Sequence, residues 1–176
     1  MYMEEMVVFR EQQQFRQAWL WILFASITLP IIALLGFGIY QQLILGKPFG
    51  NNPVGDAPLV AIFAGIVVLH TLVIALFWFA RLDVEVTRND IAIRFRPFHL
   101  RPRRIPLHDI TDARARKYSA IGEYGGWGIR MGMKGWAYNV SGDHGVQLTL
   151  ANGKRILVGS QRSEELEAAI REAKVA

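Results

Sequence analysis

Two long runs of apolar side chains dominate the first half of the chain. Residues 18–40 and 57–80 contain no Asp, Glu, Lys or Arg and are 23 and 24 residues long. A bilayer core of about 30 Å needs about 20 residues of helix, so both runs predict membrane-spanning helices. The first run is too long for a signal peptide and follows two glutamates, which is atypical of one.

The basic residues around these runs predict their orientation. Seven arginines lie within residues 81–104, whereas the loop at 41–56 contains a single basic residue, Lys47. Because Lys and Arg are retained on the cytoplasmic side, we expect a multi-pass protein of the cytoplasmic (inner) membrane with both termini in the cytoplasm. Residues 1–17 mix apolar side chains with Glu, Gln and Arg, so we expect an N-terminal interfacial segment, either a short helix or an extension of the first span.

Beyond residue 80 the pattern changes from continuous apolar runs to alternation of apolar and polar positions, which is typical of half-buried strands. Residues 82–87 and 91–96 predict a hairpin. Further strands are predicted near residues 100–105 and 111–118, the first of them at best an edge strand because Pro97 and Pro102 interrupt it.

The end of the chain predicts a hairpin and a helix. An Asn-Gly pair separates the alternating segments 145–150 and 155–159, which indicates a tight turn. Ser163 then begins an amphipathic helix with acidic residues in its first turn and basic residues in its last. We therefore expect a transmembrane α-hairpin at 18–80, followed at 81–176 by a mainly β (α+β) domain of about seven strands closed by a helix.

Four sequence runs resemble those of a group of uncharacterised prokaryotic two-helix membrane proteins with a C-terminal pleckstrin-homology-like (PH-like) domain. The runs are YGGWGIR at 124–130, KGWAY at 134–138, GVQLTL at 145–150 and ILVGSQR at 156–162. The order of predicted elements also resembles the PH-like fold, a seven-stranded β-sandwich or half-barrel capped by a C-terminal helix. The resemblance implies a fold and a membrane topology, but no activity and no catalytic residue.

The composition argues against most catalytic chemistry. The chain has no cysteine, and its four histidines show no metal-ligand spacing. The glycine-rich segment lacks both the phosphate-loop and the dinucleotide-binding patterns. We therefore expect no enzyme activity, no catalytic residue, no metal and no cofactor.

The glycine- and aromatic-rich segment at 124–138 allows three interpretations. It can be a hairpin with aromatic rings in the core, a groove for a ligand or partner, or an aromatic tip in the lipid headgroup layer. The candidate groove residues are Trp127, Arg130, Lys134, Trp136 and Tyr138.

The charge distribution gives the strongest functional signal. Residues 81–176 contain 17 Lys and Arg against 11 Asp and Glu. Anionic lipid attracts juxtamembrane basic residues by about 1 kcal/mol each, so we expect contact with anionic phospholipid. The lipid-contact candidates are Arg94, Arg96, Arg101, Arg103 and Arg104. The alternative is a solvated run that only sets the topology, and no recognition helix supports nucleic-acid binding.

The sequence thus predicts a non-catalytic membrane protein that presents an interaction module to lipid, to a membrane protein partner or to its own copies in a homo-oligomer. Only Arg81 separates the second run from the first alternating segment, so we expect the domain to lie against the bilayer. The alternative is an oligomeric pore or an auxiliary subunit of a transport complex. That alternative depends on His70, the one histidine within the runs.

Overall fold

The structure is a computed structural model that describes residues 6–175, and its contacts divide the chain into two compact units. The helical unit consists of residues 16–78. The β unit combines the described residues before 16 with those from Phe79 onward. The domain that the sequence predicts at 81–176 therefore shares its fold with residues from the start of the chain.

The helical unit contains α1 (Ala18–Ile39) and α2 (Asp56–Phe79). The helices have 22 and 24 residues, or about 33 and 36 Å at 1.5 Å per residue. A π-helical turn at Tyr40–Ile44 extends α1. Both helices are long and apolar enough to cross a membrane, and their bounds agree within one residue with the predicted runs.

Side-chain contacts join the two helices into an antiparallel hairpin. Where α1 begins and α2 ends, the rings of Trp21 and Trp78 meet edge to face at 5.5 Å between centroids. At the other end, the amide of Gln42 donates to the Val54 carbonyl at 2.8 Å and accepts from the Phe49 N–H at 3.3 Å. Gln42 therefore orders the loop between the helices.

The β unit contains nine strands and two helices within residues 6–175. The strands are β1 (Val7–Gln14), β2 (Arg81–Thr87), β3 (Asp90–Arg96), β4 (Arg103–Pro106), β5 (Ile110–Lys117), β6 (Gly128–Gly132), β7 (Gly135–Asn139), β8 (His144–Leu150) and β9 (Arg155–Gly159). The helices are α3 (Ala120–Tyr124) and α4 (Ser163–Val175), and a short 3-10 turn spans Leu107–Asp109.

The first sheet has the order β1-β2-β3-β4, with every pair antiparallel. The expectation of an interfacial helix before the first span is wrong for its described part, because Val7–Gln14 is the edge strand β1. Residues 1–5 lie outside the described residues. β1 pairs with β2 so that Gln14 lies opposite Arg81. The two helices are thus inserted between neighbouring strands of one sheet.

The second sheet has the order β5-β8-β9-β7-β6. Its pairs are antiparallel except for β7 and β9, which run parallel. The predicted Asn-Gly turn joins β8 to β9, where Gly153 has a φ of +78° that side-chain-bearing residues rarely adopt. The glycine- and aromatic-rich segment contributes the added hairpin β6-β7.

The core of the β unit consists of the inward-facing apolar residues of the strands. In β2, Leu82, Val84 and Val86 are fully buried and alternate with half-exposed polar residues. The closing helix α4 adds Leu166 and Ile170, both 1% exposed. The prediction of strands followed by a C-terminal helix is confirmed, but residues 81–175 contain eight strands instead of about seven, and β1 is a ninth from before the helices.

Candidate functional site

The outer face of the first sheet, opposite the buried residues of β2, carries rows of charged side chains. The register places Arg10 beside Glu85 and places Asp83 beside Arg94. Arg81 lies opposite Arg96 at the end of the sheet. Because strand side chains alternate between faces, these residues share the face that the apolar core does not use.

The outward side chains border a groove of about 220 Å³. Its arginines come from all four strands of the first sheet: Arg10, Arg81, Arg94, Arg96 and Arg104. Its carboxylate residues are Glu11, Asp83 and Glu85. The Glu11 carboxylate is engaged elsewhere, since it accepts from the Ser160 hydroxyl and the Gln161 N–H. The arginine groove therefore has an excess of positive charge.

Ion pairs position several of these guanidinium groups. Asp83 lies 3.1 Å from the Arg96 Nε and 3.6 Å from the Arg81 Nε. Arg10 pairs with Glu85 at 2.9 Å while its own side chain stays 77% exposed. Exposed and partly exposed pairs of this kind contribute little stability, so the strand pairing of the first sheet is what brings these arginines to one face.

Arg94 has a structural role as well. Its guanidinium donates to the His99 carbonyl at 3.3 Å and to the Leu100 carbonyl at 2.9 Å. The segment between β3 and β4 is therefore held against β3. In the same segment, the pKa of His99 is lowered by burial and by the nearby Arg103 charge, which favours the neutral ring that accepts from the Phe95 N–H.

The structure brings together only part of the predicted arginine set. Arg94, Arg96 and Arg104 border the groove. Arg103 points elsewhere and donates to the Tyr138 hydroxyl at 2.7 Å, while Arg101 lies exposed between β3 and β4. Adjacent residues on a strand face opposite sides, which explains why Arg103 and Arg104 separate.

Two groove residues, Arg81 and Arg10, are not among the arginines that the sequence predicts as lipid contacts. Arg81 follows the period-two pattern of β2 and can be found by extending that pattern by one residue. Arg10 lies in β1, where the inward positions include Glu11 and Gln13, so no apolar alternation reveals the strand. Its place in the groove depends on pairing with β2, across the whole helical hairpin.

The candidates in the glycine- and aromatic-rich segment lie in different surroundings. Tyr138 is buried, whereas Trp127 is half-buried against a small apolar cluster of the second sheet. Trp136 stays 40% exposed. Arg130 donates to the Trp127 carbonyl, and Lys134 pairs with Glu123 at 3.0 Å. The core interpretation therefore describes Tyr138 best.

A profile of a family of unknown function, DUF6141, matches residues 2–176. The chain belongs to DUF6141. No curated protein and no solved structure matches the chain. The family description assigns no activity.

Glu123 is the centre of a second polar cluster in this DUF6141 chain. Both Arg116 NH groups donate to its carboxylate, at 2.8 and 3.2 Å, and the Ser119 N–H donates at 3.0 Å. The Arg116 hydrogen bonds lower the pKa of Glu123 to about 2. These contacts connect α3 to β5 and to the β6-β7 turn through Lys134, which indicates a structural role.

His70 is the remaining polar residue that the sequence singles out. The imidazole Nδ1 of His70 lies 2.9 Å from the Ile66 carbonyl, one turn earlier on α2. Within residues 6–175, no cluster of three or more His, Asp or Glu side chains could hold a metal ion. The arginine groove is therefore the candidate functional site of this DUF6141 chain.

Proposed function

We propose that the chain is a non-catalytic membrane protein that holds a PH-like interaction module at the inner face of the cytoplasmic membrane. The proposal rests on the insertion of the hairpin between two paired strands. Residues 15–17 connect β1 to α1, and Ala80 connects α2 to β2. Since Gln14 and Arg81 are paired, the chain leaves and re-enters the first sheet at one end of it. Two spans then keep both ends of the β unit on one side of the bilayer.

The arrangement of strands supports the PH-like interpretation. Four antiparallel strands form the first sheet, and β5, β8 and β9 form a second antiparallel run that is followed by α4. Together these are the seven strands and closing helix expected of the fold. The remaining elements are two insertions, namely the helical hairpin between β1 and β2 and the segment with α3, β6 and β7 between β5 and β8.

The chemistry of the arginine groove supports an anionic ligand. Guanidinium groups recognise phosphate and carboxylate groups through paired N–H donors. Arg81 and Arg96 lie in the row of the sheet where the chain connects to the helices. Anionic phospholipid is therefore the ligand we propose for the groove, with a partner protein or a second copy held through the same module.

Single-cysteine labelling tests the topology, because the chain contains no cysteine of its own. The variants are Asn51→Cys, in the loop between the helices, and Arg88→Cys, in the β2-β3 turn; both residues are exposed. We expect a membrane-impermeant maleimide to label Asn51→Cys on intact cells and Arg88→Cys only after permeabilisation. Labelling in the reverse order contradicts an inner-face module, and a chain that is soluble without detergent contradicts the membrane proposal.

Lipid retention tests the ligand. The full chain is purified in mild detergent with equal amounts of phosphatidylglycerol and phosphatidylcholine, and bound lipid is measured by mass spectrometry. We expect Arg10→Gln with Arg104→Gln to lose most of the retained phosphatidylglycerol. Arg88→Gln with Lys154→Gln is the control, since it removes the same charge from two exposed turn positions. Equal retention by both double variants contradicts a lipid site in the groove.

The pore alternative has less support. It depends on His70, whose ring Nδ1 lies 2.9 Å from a backbone carbonyl of its own helix. A polar side chain in lipid is ordinarily satisfied in this way. We therefore give priority to the interaction module.

A further inference from the structure

The segment between β3 and β4, residues 97–102, presents two large apolar side chains to solvent in the described structure. Phe98 is 60% exposed and Leu100 is 85% exposed. We propose that this segment, the β3-β4 loop, inserts Phe98 and Leu100 into the lipid headgroup region. The inference rests on the proposed membrane topology and adds a second point of contact between the β unit and the bilayer.

The position of the β3-β4 loop in the first sheet supports lipid as its occupant. Arg96, the last residue of β3, is paired with Arg81, and Arg81 is paired with Gln14. The loop therefore begins at the end of the sheet where the chain connects to α1 and α2. The opposite end of β2 and β3 is about 20 Å away, given seven residues per strand.

Contacts between aromatic rings also connect the β3-β4 loop to the end of the first sheet that leads to α1 and α2. The ring of Phe15, which immediately precedes the helical unit, lies 6.4 Å from Phe95 between centroids. Phe95 in turn lies 6.1 Å from Phe98. Phe15 and Phe95 are buried, whereas Phe98 extends out of the same row of rings. Phe98 therefore belongs to the end of the first sheet from which the chain enters α1 and returns from α2.

The loop is held in one conformation by its own hydrogen bonds. The His99 N–H donates to the Phe95 carbonyl at 2.7 Å, and Arg94 donates to the carbonyls of His99 and Leu100. Because these hydrogen bonds already order the loop within the β unit, contact with lipid loses little further loop entropy. Exposed Arg101 follows directly and supplies a positive charge for anionic headgroups.

Fluorescent labelling of the full chain tests the insertion. Leu100→Cys and Phe98→Cys are labelled with an environment-sensitive probe, and each variant is reconstituted into vesicles of phosphatidylcholine and phosphatidylglycerol. Nitroxide lipids quench probes in the membrane, whereas iodide quenches probes in water. We expect headgroup-level nitroxide to remove most of the emission at both loop positions, and iodide to have little effect there.

Two control positions separate this inference from the topology. Val68→Cys lies within α2 and Arg88→Cys lies in the β2-β3 turn at the opposite end of the first sheet. We expect deep nitroxide to quench the probe at Val68 and iodide to quench the probe at Arg88. If deep nitroxide quenches the Val68 probe but iodide quenches the loop probes, the insertion is overturned and the membrane proposal remains. Loop probes that neither quencher reaches indicate a protein contact and also overturn the insertion. A Val68 probe open to iodide overturns the membrane proposal itself.

Discussion

The carboxylate of Glu123 holds the five-residue helix α3 in place, although that helix is too short to be stable alone. Arg116 reaches it from β5, Ser119 caps the start of α3, and Lys134 reaches it from the β6-β7 turn. The Glu123 side chain is only 19% exposed, so these charge-assisted bonds are partly shielded from water. The ionised side chain of Glu123 therefore holds α3 in place at the start of the segment that contains the β6-β7 hairpin.

This carboxylate predicts a pH dependence of stability in acid. Hydrogen bonds from Arg116 lower the pKa of Glu123 from 4.5 to about 2 in the folded state. Because the folded pKa is the lower one, the stabilisation is complete above about pH 4.5 and is lost as the pH falls towards 2. Thermal unfolding of the full chain in detergent, followed by near-UV circular dichroism, should show a falling midpoint across this range.

Replacing Glu123 by Gln measures what its carboxylate contributes to the free energy of unfolding. We expect Glu123→Gln to lower the free energy of unfolding at neutral pH by about 1–2 kcal/mol and to flatten the acid response. Glu172→Gln, at an exposed position of α4, removes the same charge and should change stability by no more than about 0.5 kcal/mol. An acid response in Glu123→Gln as steep as in the unmodified chain contradicts the assignment to this carboxylate.

Among the elements, β1 differs most from what the sequence predicts. Its inward positions are Phe9, Glu11 and Gln13, so two of the three buried side chains are polar. Gln13 donates to the Gly159 carbonyl at 2.8 Å, and Glu11 accepts from the residues that follow β9. β1 therefore joins the end of β9 through hydrogen bonds where the other strands use apolar contact.

The elements with local signals could be predicted from the sequence. The helices α1 and α2 have continuous apolar runs, β2 and β3 alternate, and the β8-β9 turn carries Asn-Gly. β1 could not, because the hydrogen-bond partners of its polar inward side chains are distant in sequence. The same limit applies to the arginine groove: Arg94 and Arg96 share a face by simple periodicity, whereas Arg10 joins them only through a pairing across the hairpin.

The buried carboxylate of Glu11 gives β1 a testable energetic role. We expect Glu11→Ala to destabilise the β unit by about 1–3 kcal/mol, because the Ser160 hydroxyl and the Gln161 N–H lose their acceptor. The thermal midpoint of the full chain in detergent measures the change. Gln12→Ala is the matched control, since Gln12 is the exposed neighbour on the same strand. An equal loss in both variants indicates weakened strand propensity instead of the lost hydrogen bonds.

At the scale of the whole molecule, β1 and β2 pair as the two strands of a β-hairpin. The helical hairpin of α1 and α2 takes the place of the turn between them. Phe15 and Ala80, which flank the inserted segment, are 8% and 3% exposed and belong to the β unit. The core of that unit comes from its own strands and α4. The fold of the β unit is therefore expected to depend on β1 being present, and not on the helices that separate β1 from β2.

Replacing residues 16–79 with Asn-Gly tests this dependence. The new turn connects Phe15 to Ala80 next to the paired residues Gln14 and Arg81, where a short hairpin loop fits the register. We expect a chain that is soluble without detergent, with a β-rich far-UV circular dichroism spectrum and cooperative thermal unfolding. A chain that begins at Ala80 is the control, and it should unfold at a much lower temperature because it exposes β2 and lacks the Glu11 and Gln13 contacts. If both chains fold equally well, β1 is dispensable; if neither folds, the β unit requires its helices, and the hairpin is part of the fold instead of an anchor.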